Sequence, residues 1–121
     1  MKNKDVIILK KILDYCRQLS EVCDMFDNDY HNFVGSSVFQ NACCMCILQI
    51  GELCKVISEE LRMQETNIPW KEWCGIRDIF AHQYSNLDCQ SAWDTIQQDL
   101  PELKMEIDRI LKGNGEECNG Q

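Results

Sequence analysis

Basic charge is scarce in this chain. Against 20 aspartates and glutamates stand 12 lysines and arginines, for a net charge of −8. A protein that coats nucleic acid non-specifically needs a broad cationic face, so that class is excluded, although a local RNA site stays open. No apolar run has the length of a membrane span, so no membrane partner is expected. The opening stretch, "MKNKDVIILKKILDYC", sets lysines ahead of a short apolar run. Lys10, Lys11 and Asp14 interrupt that run and no small-residue cleavage site follows, so no signal peptide is read. The strict alternation of a β-strand is missing throughout. Histidine is confined to His31 and His82. One C-x-x-C pair, Cys43 and Cys46, has neither a second pair nor clustered histidines to complete a metal site. No metal and no cofactor are expected.

What is present describes one modest globular domain. The chain has 121 residues, 45% of them hydrophobic and 26% charged, a balance that supports a packed core. Cysteine is abundant, at nine residues. The count is odd and most of the thiols fall within helical patterns. Free buried thiols in a reducing, cytoplasmic compartment are therefore expected.

The apolar periodicity is helical. Leu9, Ile12, Cys16, Leu19, Cys23 and Phe26 recur at steps of three and four, predicting a helix over about residues 4–26. Residues 27–36, "DNDYHNFVGS", break the pattern. A second stripe, Phe39, Cys43, Cys46, Ile50, Leu53, Ile57 and Leu61, predicts one long helix from Ser36 or Ser37 to Met63. Gly51 lies inside it and marks a close approach to a neighbour, because glycine otherwise costs a helix about 1 kcal/mol. Pro69 opens a third helix, with Trp70, Trp73, Ile76 and Phe80 as its buried side. Asp88 is a plausible cap for a fourth, striped by Trp93, Ile96, Leu100, Leu103, Ile107 and Ile110. Pro101 should kink that helix. The expected fold is all-α, an antiparallel bundle of four main helices over residues 1–112. Residues 113–121 form an acidic, glycine-rich flexible tail. Val6, Ile7, Val22, Met25, Met45, Leu48 and Val56 widen the first two stripes beyond what one such bundle buries, which predicts a homodimer.

One short stretch carries reactive side chains: "RDIFAHQY", residues 77–84. His82 can accept or donate a proton near neutral pH. Arg77 can neutralise charge that builds on a phosphate. Asp78, one turn before His82, could orient the imidazole. RNA brings its own nucleophile, the 2′-hydroxyl, so these groups suit RNA cleavage without a metal. Arg77 and Tyr84 share a face of a regular helix, whereas His82 lies about 140° around from Arg77. Convergence then requires a loosened helix near Ala81 or a second copy of the chain. By spacing alone the same residues also read as an ordinary solvated polar face, and Tyr84 as a half-buried packing residue.

The stretch matches R-x4-H-x-Y, and its flanks, "ILQIGELCKVIS", "NIPWKEWCGIRD", Trp93 and "DLPEL", agree in order and spacing. Together they resemble the HepT-like toxins of the HEPN-domain ribonucleases, across the chain to about Lys112. The resemblance implies a HEPN-like homodimer with Arg77 and His82 as the nuclease pair at the dimer cleft and RNA as substrate. It also implies a cognate minimal nucleotidyltransferase antitoxin that moves AMP from ATP onto Tyr84. Asp78 stands where the family often has asparagine, and a carboxylate there would repel RNA phosphate. A non-catalytic helical subunit that supports a nucleotidyltransferase is the alternative, and a purely structural homodimer a third. His31 reads as a solvated loop residue. Lys4, Lys10, Lys11 and Arg17 read as the solvated edge of the first helix, and the three tryptophans as core anchors.

Overall fold

The computed structural model describes residues 1–83 and 88–116, the side chains of 78–83 excepted. Every regular element among the described residues is helical. Helix α1 (Asn3–Met25) buries Leu9, Ile12, Cys16, Leu19 and Cys23, the stripe expected of it. It ends where Asp27 and Asn28 take left-handed φ of 60° and 48°, a region that aspartate and asparagine tolerate better than most residues. The amide of Asn28 closes the end on the Cys23 carbonyl at 2.7 Å.

The break expected over residues 27–36 contains a helix of its own, α2 (Tyr30–Gly35). The Asp29 carboxylate caps it by accepting from the amides of His31 and Asn32, and Phe33 is fully buried beneath it. His31 is thus helical rather than looped, and it is exposed. Helix α3 (Ser37–Lys55) starts at Ser36, whose hydroxyl accepts from Phe39 N at 3.1 Å. By length and composition alone α3 could cross a membrane. Its place here is between α1 and α5, with Phe39, Cys43, Ile47, Ile50 and Cys54 fully buried.

The long second helix expected to reach Met63 is two helices. It stops at Lys55, and α4 (Glu59–Gln64) begins after Ser58. The cause is a buried carboxylate: Asp5 of α1, 1% exposed, accepts from both the amide and the hydroxyl of Ser58. Ser58 in turn accepts from Leu61 N at 3.2 Å as the cap of α4. Arg62 reaches back to donate to the carbonyls of Cys54 and Lys55, at 2.8 and 2.7 Å, so the last turn of α3 keeps its hydrogen bonds.

Helix α5 (Trp70–Gln83) follows Pro69. Asp88 caps α6 (Cys89–Asp94), accepting from Ser91 N at 3.2 Å. Where a kink is expected at Pro101, the structure has a change of helix type. A π-helical stretch, Thr95–Asp99, joins α6 to α7 (Leu100–Gly113). The amide of Leu100 bonds to the Thr95 carbonyl five residues back, and the wider turn makes room for a ring that has no N–H to offer. Of the tail, residues 114–116 turn back over α7, where Glu116 N donates to the Leu111 carbonyl at 2.8 Å and Lys10 Nζ of α1 reaches the Glu116 carboxylate at 2.8 Å.

The core is aromatic at the α2–α6 end. Phe26 stacks on Phe39 at 4.5 Å, and Phe33 and Trp93 complete the cluster. At the other end α3 and α5 nearly touch. A Cβ placed on Gly51 would sit 2.8 Å from the Trp73 carbonyl oxygen and 2.8 Å from Ile76 Cγ2. This is the close approach that the glycine signalled.

Candidate active site on helix α5

Helix α5 is anchored at its start. Trp70 and Trp73 are buried, and Trp70 Nε1 donates to the Glu65 carbonyl at 2.9 Å. One turn further on, the Gly51 contact fixes Ile76 against α3. Arg77, the next residue, therefore stands at a defined height above α3 with its side chain 57% exposed. Its Nη1 lies 3.4 Å from Glu52 Oε1, while Lys55 Nζ holds the other carboxylate oxygen at 2.8 Å. The Lys55 hydrogen bond, helped by the positive charge of Lys55 and Arg77, holds the Glu52 carboxyl below its ordinary range against some desolvation. The site is thus a carboxylate flanked by two cations, open to solvent.

The backbone of α5 stays helical through Ala81 and His82, so the loosening that would bring His82 round to Arg77 is not there. The two positions lie about 140° apart around the helix and about 7 Å apart along it. One copy of the chain thus presents Arg77 and His82 on separate faces. Asp78 is helical too, one turn before His82, but its side chain and that of His82 lie outside the described ones, as does the whole of Tyr84.

Glu52 and Lys55 are the site residues that the sequence reading missed. Their three-residue spacing in "GELCK" looks like any surface pair. The usable signal was Gly51, because a glycine that admits a second helix also says which neighbours face that helix. The other candidates keep their bland roles. Arg17 pairs with Asp14 and Glu21, and Lys10 with Glu116, so these cations do not form a free basic edge. Cys43 and Cys46 are buried free thiols. Among the described residues no three His, Cys, Asp or Glu side chains gather to hold a metal ion.

Among the described residues every regular element is helical, and one helix, α5, carries both Arg77 and His82. The sequence profile of the ribonuclease HepT-like family matches residues 12–110. A protein of Methanocaldococcus jannaschii named "Putative RNase MJ1216" is 32% identical over 93% of this chain and 92% of its own length. A second from the same organism, "Putative RNase MJ0125", is 36% identical over 71% of this chain and 74% of its own. "Probable ribonuclease HepT" of Thermococcus cleftensis is 26% identical over 82% and 94%. No solved structure matches the chain. The chain belongs to the HepT-like family of HEPN ribonucleases.

Proposed function

We propose that the chain is the ribonuclease toxin of a toxin–antitoxin pair, a homodimer that cleaves RNA without a metal ion. One observation carries the reading: in a member of a ribonuclease family, Arg77 stands exposed on the helix that also bears His82. Because one copy holds the two on separate faces, a two-fold partner supplies the convergence. Ile7, Met25, Met45 and Val56 support such a partner, since they stay 54, 77, 56 and 48% exposed in the single chain.

The chemistry runs through the substrate's own hydroxyl. A neutral His82 takes the 2′-hydroxyl proton, and the 2′-oxygen attacks the adjacent phosphorus. The bond to the 5′-oxygen breaks, and that oxygen leaves with a proton from a protonated His82 of the second copy. Arg77 neutralises the charge that accumulates on the non-bridging oxygens. The products carry a 2′,3′-cyclic phosphate and a 5′-hydroxyl. Control comes from a cognate minimal nucleotidyltransferase. The Tyr84 hydroxyl gives up its proton to solvent, its oxygen bonds to the α-phosphorus of ATP and pyrophosphate leaves, so the residue two positions after His82 carries an AMP phosphate that competes with RNA. The eight described cysteines are all free thiols, which suits action in a reducing cytoplasm.

The test is cleavage of RNA in chelator by wild type, Arg77→Ala and His82→Ala, with helical content measured in parallel. Both variants should lose activity and keep their helix signal, and the wild-type products should carry cyclic phosphate ends. Full activity in His82→Ala, or a strict need for magnesium, refutes the mechanism.

A further inference from the structure

Three cations gather at one end of α3 in a chain whose net charge is −8. Arg62 caps the helix, donating to the carbonyls of Cys54 and Lys55. A lysine in the last turn of a helix commonly serves those carbonyls itself. Here Arg62 does so, and the Lys55 ammonium turns to Glu52, 42% exposed to solvent. Arg77 meets the other oxygen of the same carboxylate from α5. Two cations that share one carboxylate, at contacts of 2.8 and 3.4 Å, lie within about 8 Å of each other, on the order of the step between successive phosphates of an RNA strand.

The spacing does not depend on flexible side chains alone. Glu52 follows Gly51, Arg77 follows Ile76, and the Gly51 backbone is pressed against the Trp73 carbonyl and Ile76. The register between the two cations is therefore set by a backbone contact between helices. We propose that Lys55 is a second phosphate-binding cation of this site, held in register with Arg77 by Glu52, and that successive RNA phosphates seat on the pair. This rests on the ribonuclease reading. Arg77 meets the phosphate that reacts. Lys55 holds its neighbour along the strand and so contributes to binding rather than to the chemical step. Glu52 is a positioning residue that keeps both cations in place until phosphate oxygens replace it.

The experiment uses the full chain with a labelled, mixed-sequence single-stranded RNA. Binding is read by anisotropy in the His82→Ala background across a salt series, and cleavage is read with His82 present. Replacing Lys55 by Gln should weaken binding about tenfold at low salt and reduce the slope of log affinity against log salt by about 0.7, the share of one single-strand phosphate contact. KM should rise with kcat unchanged, Lys55→Arg should restore both readings, and Lys4→Gln on α1 should alter neither. An unchanged slope and KM in Lys55→Gln, or an equal loss in Lys4→Gln, overturns the assignment while leaving a cleaving wild type a ribonuclease. If the wild type binds RNA without cutting it, the salt slope still decides for or against Lys55. A wild type that neither binds nor cuts RNA overturns the ribonuclease reading and this inference with it.

Discussion

Replacing Gly51 by alanine sets two known effects against each other. In the middle of a helix, alanine should stabilise by about 1 kcal/mol relative to glycine. The new methyl would also stand 2.8 Å from the Trp73 carbonyl oxygen and 2.8 Å from Ile76 Cγ2. Overpacking of this kind costs about 1–3 kcal/mol. The upper half of that range applies because one of the two obstructing atoms is backbone within α5 and cannot rotate away. The net effect is a loss of about 1–2 kcal/mol. For a chain of this size that lowers the melting temperature by roughly 5 °C. The helices must also part slightly, which lengthens the already loose 3.4 Å contact between Arg77 and Glu52. Differential scanning calorimetry at matched protein concentration, which matters if the chain associates, measures the shift. A melting temperature equal to or above that of the wild type would mean that propensity outweighs the clash, and the tight α3–α5 contact would be disproved.

Asp5→Ala removes the acceptor of two Ser58 donors and should cost about 2–3 kcal/mol. The urea midpoint should fall with an unchanged slope, and an unmoved midpoint contradicts the latch between α1 and the α3–α4 break. Acid should destabilise the fold: hydrogen bonds from Arg17, Lys55 and Ser91 hold the carboxyls of Asp14, Glu52 and Asp88 below their ordinary values. A depressed folded pKa gives stability that is complete above the unfolded value and is lost as pH falls through the folded one. The denaturation midpoint should therefore be level near neutrality and drop below about pH 4, and a midpoint that rises on acidification refutes the pairing.

The apolar stripes were legible because burial has a period. Leu9, Ile12, Cys16 and Leu19 on α1, and Ile96, Leu103 and Ile107 toward the C-terminus, are buried as their spacing requires. The break before α4 was hidden because Ile57 and Leu61 continue the stripe across it and are both buried. Spacing reports which face is wet, not whether the backbone hydrogen bonds are continuous. The local signal was Ser58 followed by Glu59 and Glu60, a helix start written inside an apolar pattern. Asp29 ahead of Tyr30 announced α2 in the same way. The site divides likewise: Arg77 and His82 stood out by residue type. Glu52 and Lys55 did not, because the pairing of Arg77 with Glu52, across helices and 25 residues apart, depends on the rotation of α3 against α5, which no local pattern encodes.

The thiols of the core give this protein a set of internal clocks. Cys16, Cys23, Cys43, Cys44, Cys46 and Cys54 are all buried and unpaired. Burial pushes Cys16 and Cys54 up to about 12 and Cys44 to about 11, so at these three an alkylating reagent meets neither an accessible sulfur nor a thiolate, and at the other three it meets a buried sulfur. Modification must wait until the helix that carries the thiol opens. The alkylation rate of each cysteine, read by peptide mass, then gives the opening free energy of its own helix. Two sites report on α1 and four on α3, so the stability of the scaffold beneath Arg77 can be followed residue by residue in the unaltered protein.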